Sequence, residues 1–159
     1  MRIRRAESGD QAAIVTIVER AYGVYVERIG MRPGPMDDDY AEKLRRDLVH
    51  VAEEEGGDGS GEGVIGLIVL IEMGERLLIE NVAVDPDRQG EGIGRRLLEF
   101  AEGEARRAGI GTLALYTHEK MSENLALYAR LGYEEEERRR ENGFSRVFLS
   151  KWLEPGPPD

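Results

Sequence analysis

The sequence predicts an α/β chain built on a mixed, mostly antiparallel sheet of six to seven strands, with one parallel β-α-β unit and about four helices. Three observations predict it. Short runs rich in β-branched and aliphatic residues, bounded by turn residues, recur along the chain. Between them lie stretches with apolar residues at helical spacing or with cap signals. One strand-helix-strand succession, residues 77–117, calls for parallel strands joined by a right-handed crossover.

In chain order, Arg2-Ile3-Arg4 alternates like a first strand, and Ser8-Gly9-Asp10-Gln11 offers a capping box for a helix with Ile14, Ile17, Val18, Ala21 and Val24 on its apolar face. After the breaker cluster Arg32-Pro33-Gly34-Pro35, the run Asp37-Asp38-Asp39 caps a second helix reaching about Arg46, with Glu42 three residues after Asp39. Residues 48–51 read as a strand. The Gly-rich acidic stretch 53–63 reads as a hairpin loop that buries nothing.

Residues 64–72 and 77–84 then form an antiparallel hairpin through Met73-Gly74-Glu75-Arg76. From Gly92 to Arg107, Ile93, Leu97, Leu98, Ala101 and Ala105 trace one helical face, and Gly109 stands where the helix should stop. A strand follows at 112–117, then a short helix capped by Ser122 and ending at Gly132. Two final strands, 133–139 and 144–152, are joined by Asn142-Gly143, and residues 154–159 are expected to fray.

With 159 residues, 32 acidic and 22 basic side chains, a formal charge of −10 and no cysteine, the expectation is one acidic domain spanning residues 1–153. A chain of this size buries about 68–70% of its unfolded surface, enough for a core without staples. The lack of cysteine excludes disulfides, thiolate zinc sites and a cysteine nucleophile. Only His50 and His118 remain as imidazoles, so no metal is expected.

The acidic balance disfavours nucleic acid and anionic membrane and suits cationic or amine partners better. No apolar run follows the basic start at residues 2–5, so no signal peptide is expected there. The most apolar segment, 64–73, carries Glu72 and is about half the length a membrane helix requires. The expectation is a soluble, cytoplasmic protein.

The most informative stretch is Val82-Ala83-Val84-Asp85-Pro86-Asp87-Arg88-Gln89-Gly90-Glu91-Gly92-Ile93-Gly94-Arg95-Arg96. A strand ends, a glycine-punctuated turn follows, and a helix begins inside it. Glycines allow positive φ and close approach of a bulky anion, while the unpaired N–H groups of the first helical turn and the helix dipole attract it. The spacing departs from the dinucleotide fingerprint G-x-G-x-x-G, since Arg95 follows Gly94, and no Walker loop G-x-x-x-x-G-K-[ST] exists.

The spacing does fit Q/R-x-x-G-x-G, as Gln89-Gly90-Glu91-Gly92-Ile93-Gly94, directly after V-A-V-x-P. Together with Asn124-x3-Tyr128-x3-Gly132-Tyr133, this resembles the GNAT superfamily of acyl-CoA-dependent N-acetyltransferases, and the resemblance runs over almost the whole chain. It implies a GNAT fold and acetyl-CoA as co-substrate, with the backbone of the 89–94 loop and Arg95 on the coenzyme A pyrophosphate. It also implies that the backbone of Val82, Ala83 and Val84 pairs with the acetyl and pantetheine amides, and that Asn124 contacts the pantetheine arm or a bound water.

By the same resemblance, Tyr128 donates a proton to the departing coenzyme A sulfur, and Glu80 removes the amine proton. The residues taken alone leave alternatives: Tyr128 as an amphipathic core tyrosine, Glu80 as an ion-paired or solvent-facing strand residue, Asn124 as a polar first-turn residue. Mid-strand among apolar neighbours, Glu80 needs a purpose or a partner, and partial burial would raise its pKa. Arg88, Arg95 and Arg96 could add charge for the phosphates.

Weaker candidates are Asp37-Asp38-Asp39 for a cationic acceptor, Tyr22, Tyr25 and Tyr40 as aromatic walls, and His118 as a base. The closing hairpin, with Phe144, Phe148 and Trp152, is a candidate homodimer interface. The predicted function is direct acetyl transfer from acetyl-CoA to a primary amine of a small molecule, peptide or protein. The alternatives are an acyl-CoA-binding sensor of the same fold without transfer, and a nucleotide-binding domain, against which the loop spacing counts.

Overall fold

The computed structural model describes residues 1–56 and 62–154. Part of the expected acidic loop, 57–61, and the tail from 155 lie outside the described residues. The strands are β1 (Arg2–Arg5), β2 (Val49–Glu53), β3 (Val64–Met73), β4 (Arg76–Val84), β5 (Thr112–His118), β6 (Glu134–Glu141) and β7 (Phe144–Trp152). The helices are α1 (Gln11–Ile29), α2 (Tyr40–Arg45), α3 (Ile93–Arg107) and α4 (Ser122–Arg130). The seven strands run in the order β1-β2-β3-β4-β5-β7-β6. β4 and β5 pair in parallel, as the strand-helix-strand succession predicts, whereas β1–β2, β2–β3, β5–β7 and β6–β7 are antiparallel.

The chain divides into two compact units, Met1–Leu70 with Asn81–Phe100, and Ile71–Glu80 with the residues from Ala101 onward. In the first, Ile14, Ile17 and Val18 of α1 pack with Val49, Val51, Leu67, Val69 and Ala83 of the strands and with Tyr40 and Leu44 of α2. Val24, placed on the buried face by its spacing, is 69% exposed. At 100° per residue it lies about 70° from the centre of the stripe formed by Ile14, Ile17, Val18 and Ala21, outside its buried arc.

A single turn of 3₁₀ helix, Ser8–Asp10, precedes α1. The reciprocal cap there joins Glu7 and Asp10 in place of Ser8 and Gln11: Glu7 N–H donates to Asp10 Oδ2 at 2.7 Å. Asp10 is fully buried because Arg4 grips both its oxygens, at 2.8 and 2.9 Å, while donating from Nε to the equally buried Glu53 at 2.5 Å. At Gly66 of β3, an added Cβ would lie 3.1 Å from Ala83 O and 3.2 Å from a Leu97 methyl, so glycine permits this close approach of β4 and α3.

In the second unit, β5 aligns with β4 from Arg76↔Thr112 to Ile79↔Leu115 and with β7 from Thr112↔Trp152 to His118↔Arg146. Leu77, Ile79, Leu113, Leu115, Val147 and Leu149 are buried. The β6–β7 turn has Asn142 and Gly143 at φ 50° and 82°, the left-handed pair that a two-residue hairpin turn demands. Helix α4 starts at Ser122 with Met121 in the cap position, so Ser122 does not cap it. Met121 O instead accepts from the N–H groups of Asn124 and Leu125. Among the described residues, no helix is long and apolar enough to cross a membrane.

Candidate active site

In the first unit, β4 ends at Val84 and a 3₁₀ turn, Pro86–Arg88, leads into the glycine loop. Asp85 shapes the turn: its side chain accepts from Asp87 N–H at 2.9 Å, and its carbonyl accepts from Arg88 N–H at 2.8 Å. Arg20 of α1 holds the turn from outside by donating to Asp85 at 2.8 Å and Asp87 at 3.0 Å. Gly90 and Gly92 take φ values of 86° and 81°, a conformation that other residues adopt only under strain.

Arg96 is the first residue of the following turn whose N–H reaches a backbone acceptor, Gly92 O at 3.1 Å. Among the described residues, the N–H groups from Gln89 to Arg95 have no such partner. The buried side chain of Ile93 anchors the loop. Gln89, Gly90, Glu91, Gly92 and Arg95 are exposed, and Gly94 is half-buried. Donors so arranged at the start of a 15-residue helix favour negative charge.

The expected charge around this loop is differently arranged. Arg88 faces carboxylates: its Nε lies 3.0 and 3.2 Å from the two Glu91 oxygens, its Nη2 3.1 Å from Glu91, and its Nη1 pairs with Glu54. The bonds to Glu91 and its charge raise the pKa of Arg88 above its ordinary value, against a smaller opposing effect of desolvation. Arg95 pairs loosely with Glu99 at 3.3 Å. Arg96 is exposed and, among the described residues, forms no ion pair.

Along β4 burial alternates. Glu80, Val82 and Val84 are half-buried, whereas Asn81 and Ala83 are buried. The polar residue drawn into the core is therefore Asn81, 3% exposed. The Tyr22 hydroxyl lies 2.5 Å from Asn81 Oδ1 and 3.3 Å from Val82 O; Asn81 Nδ2 donates to the Tyr40 hydroxyl at 3.0 Å, which donates to Pro35 O at 2.6 Å. Tyr40 is 4% exposed, so it is no wall for a substrate but a strut inside the first unit. Asn81 escaped the sequence reading, although it lies in phase with Leu77, Ile79 and Ala83 in the two-residue repeat of the strand.

The acidic run ahead of α2 has local partners. Asp37 pairs with Arg32 at 2.9 Å, Asp38 with Lys43 at 3.8 Å, and Asp39 caps the helix by accepting from Glu42 N–H at 3.1 Å. Tyr25 has Arg28 over its ring at 5.0 Å.

In the second unit, α4 closes on Gly132, φ 93°, with Tyr133 N–H donating to Tyr128 O at 3.0 Å and Gly132 N–H to Ala129 O at 3.1 Å. This helix stop sets the two tyrosine rings edge to face at 5.7 Å. Tyr128 is 7% exposed, and Asn124, one turn earlier and half-buried, donates to Met121 Sδ at 3.6 Å. The Tyr133 hydroxyl is buried with no hydrogen-bond partner among the described residues. Burial first, then the neighbouring Tyr128 and Glu102, raise its pKa.

His118, at the end of β5, is buried. Its Nδ1 faces Lys120 N–H at 3.1 Å and its Nε2 faces Ser145 N–H at 3.3 Å. Burial, with Lys120 and Arg146 nearby, lowers its pKa against the opposing pull of Glu119. Both nitrogens are thus turned to the backbone, which does not suit a base.

Residues 45–135 match the model of the acetyltransferase (GNAT) domain. The chain belongs to the GNAT acetyltransferase family. The matched GNAT region contains β4, the glycine loop, α3 and α4, and with them Glu80, Gln89, Gly94, Asn124 and Tyr128.

Over 55 residues the chain is 44% identical to the ribosomal protein bS18-alanine N-acetyltransferase of Escherichia coli K12, covering 35% of this chain and 37% of that relative. The chain thus aligns with little more than a third of the length of that relative. Its fold matches the crystal structure of the E. coli ribosomal-protein-S18-alanine N-acetyltransferase, with a TM-score of 0.75 at 23% identity, over 98% of this chain and 96% of that one. It also matches PaiA N-acetyltransferase of Thermoplasma acidophilum in complex with coenzyme A, with a TM-score of 0.76 at 18% identity, over 96% and 98%.

Proposed function

We propose that this GNAT chain, acting as one domain over residues 1–153, transfers the acetyl group of acetyl-CoA to a primary amine by direct attack. The observation that carries the donor half is the row of N–H groups from Gln89 to Arg95 that have no backbone acceptor among the described residues, opened by glycines at 90 and 92. In this reading the backbone of Gln89, Gly90, Glu91, Gly92, Ile93, Gly94 and Arg95 holds the pyrophosphate. Among the described residues, a Cβ at Gly94 would meet only a Val84 methyl, at an ordinary 3.6 Å, so none of them demands glycine there. Close approach of a ligand to the backbone gives the reason.

The backbone of Val82, Ala83 and Val84 takes the amides of the acyl and pantetheine arm, and Asn124 a further contact on that arm. Tyr128 serves as general acid for the thiolate, whose parent thiol has a pKa of ~8.5, and Glu80 as base, directly or through water, for an ammonium of pKa ~10.4. The half-buried position of Glu80 on β4 supports this role, and so does the placement of Tyr128 at the end of α4. The chemistry needs no metal and no covalent enzyme intermediate.

The acceptor is a small-molecule, peptide or protein amine. The alanine N-acetyltransferase name of the bacterial relative makes a peptide α-amino group the first to assay. In this reading the protein is cytoplasmic, and the charge of −10 disfavours nucleic acid and anionic membrane as partners. Thiol release from acetyl-CoA, measured against amino acids, polyamines and N-terminal peptides, tests the reading. Release that depends on one acceptor class supports it. Coenzyme A binding by calorimetry with no acceptor-dependent release marks a sensor instead.

A further inference from the structure

Glu91 places a carboxylate inside the stretch of backbone donors that makes the loop attractive to an anion, and like charge there opposes a pyrophosphate. Arg88 meets it with a fork. Nε and Nη2 face the Glu91 oxygens at 3.0–3.2 Å, while Nη1 pairs with Glu54 just beyond β2. Each of the three guanidinium nitrogens thus faces a carboxylate. Glu54 is tied in turn to the base of the β2–β3 connection, its N–H donating to Gly63 O at 2.9 Å. On the other side of the turn, Arg20 answers Asp85 and Asp87 in the same way. Two guanidiniums thereby serve four carboxylates around one anion cradle.

We infer that Arg88 is a positioning residue for the donor site: it promotes coenzyme binding by holding and neutralising Glu91 through the clamp on Glu54, and not by touching the phosphates itself. The inference rests on the reading of the 89–95 loop as the pyrophosphate cradle. It assigns Glu91 two opposed effects, a backbone N–H that binds and a side chain that repels. It also gives Arg88 a role that matters only while that side chain is charged.

A double-mutant cycle on coenzyme A affinity, read by calorimetry on the full chain, tests this. Arg88→Met should weaken binding about tenfold at low salt, as expected for unmasking a carboxylate beside a bound anion, and the loss should shrink as salt is raised. Glu91→Gln should bind at least as tightly as the natural chain, and adding Arg88→Met to it should change affinity by no more than about twofold. Arg88→Lys, which keeps the charge without the fork, should recover most of the loss.

An equal loss on removing Arg88, whether Glu91 is kept or replaced through Glu91→Gln, would show that the guanidinium contacts the coenzyme and overturn the inference, as would an Arg88→Met variant that binds normally. A natural chain that binds no coenzyme A overturns the donor-site reading and this inference together. A chain that binds it with an additive cycle overturns the inference alone.

Discussion

Asn81 accepts a 2.5 Å hydrogen bond from the hydroxyl of Tyr22, a residue 59 positions earlier in the chain, and does so at 3% exposure in the middle of β4. Its amide group then donates to Tyr40, so that one strand residue ties α1 and α2 to the strand leading into the glycine loop.

Because both ends of that amide are engaged, Asn81→Leu should destabilise the chain by about 1–3 kcal/mol through the lost hydrogen bonds to the Tyr22 and Tyr40 hydroxyls, Tyr22 keeping its longer approach to Val82 O. Asn81→Asp, which keeps the acceptor but buries a charge, should cost more. Chemical denaturation of the two variants measures both. Equal stability of all three chains would deny the network any role.

Arg4 lies between two buried carboxylates, and Arg4→Met should cost roughly 3–5 kcal/mol at neutral pH because Asp10 stays buried without its guanidinium and Glu53 loses its 2.5 Å pair while keeping Arg2 at 3.3 Å. Burial alone would raise the pKa of Asp10, but the Arg4 fork and the Glu7 N–H more than offset it and hold it below the ordinary 3.8. Its contribution to stability is therefore complete above pH 3.8 and is lost as pH falls through the depressed folded value. Denaturation at pH 7 and at pH 3 should show the gap between natural chain and variant narrowing in acid.

His118 carries the opposite kind of group with the same direction of dependence. Its pKa in the folded chain lies below the ordinary 6.5, chiefly through burial, and a proton would set ring N–H groups against the backbone donors of Lys120 and Ser145. The folded chain resists protonation that the unfolded chain accepts, so stability is full above pH 6.5 and declines as pH falls toward the folded value. His118→Gln should flatten the melting-temperature profile across that interval. A profile unchanged by the substitution would assign the slope to other groups.

Under the proposed reaction, Tyr128→Phe removes a proton donor and keeps the ring packed against Tyr133. Turnover should fall by about 10²-fold or more, with coenzyme A affinity changed by no more than about threefold. Single-turnover rates on an accepted amine, beside calorimetric affinities, separate the two. Unaltered turnover would remove Tyr128 from the acid role.

Local rules made much of the fold legible. The two-residue repeat of β4, the helical stripe of α3, the left-handed pair Asn142-Gly143 and the parallel return of β5 all follow from spacing within a few residues or from the order of neighbouring elements. The glycine loop is readable for the same reason, since the spacing of Gln89, Gly90, Gly92 and Gly94 and the start of a helix are contiguous in sequence. Val24 and Ser122 departed from expectation because a stripe's edge and a cap's exact position depend on what packs against them.

The sequence by itself determined that the chain carries a glycine-punctuated turn on the strand-loop-helix frame of the GNAT family, and which residue types surround it. Only the tertiary structure decided which charges face one another. Arg88 and Glu54 are 34 positions apart, Arg20 and Asp85 65, and Tyr22 and Asn81 59. Whether a guanidinium meets a phosphate or a carboxylate, and whether an asparagine is exposed or buried, is settled by chain segments that approach through packing. No local period encodes that approach, so an arginine beside an anion loop reads as a ligand until its carboxylate partners are in view.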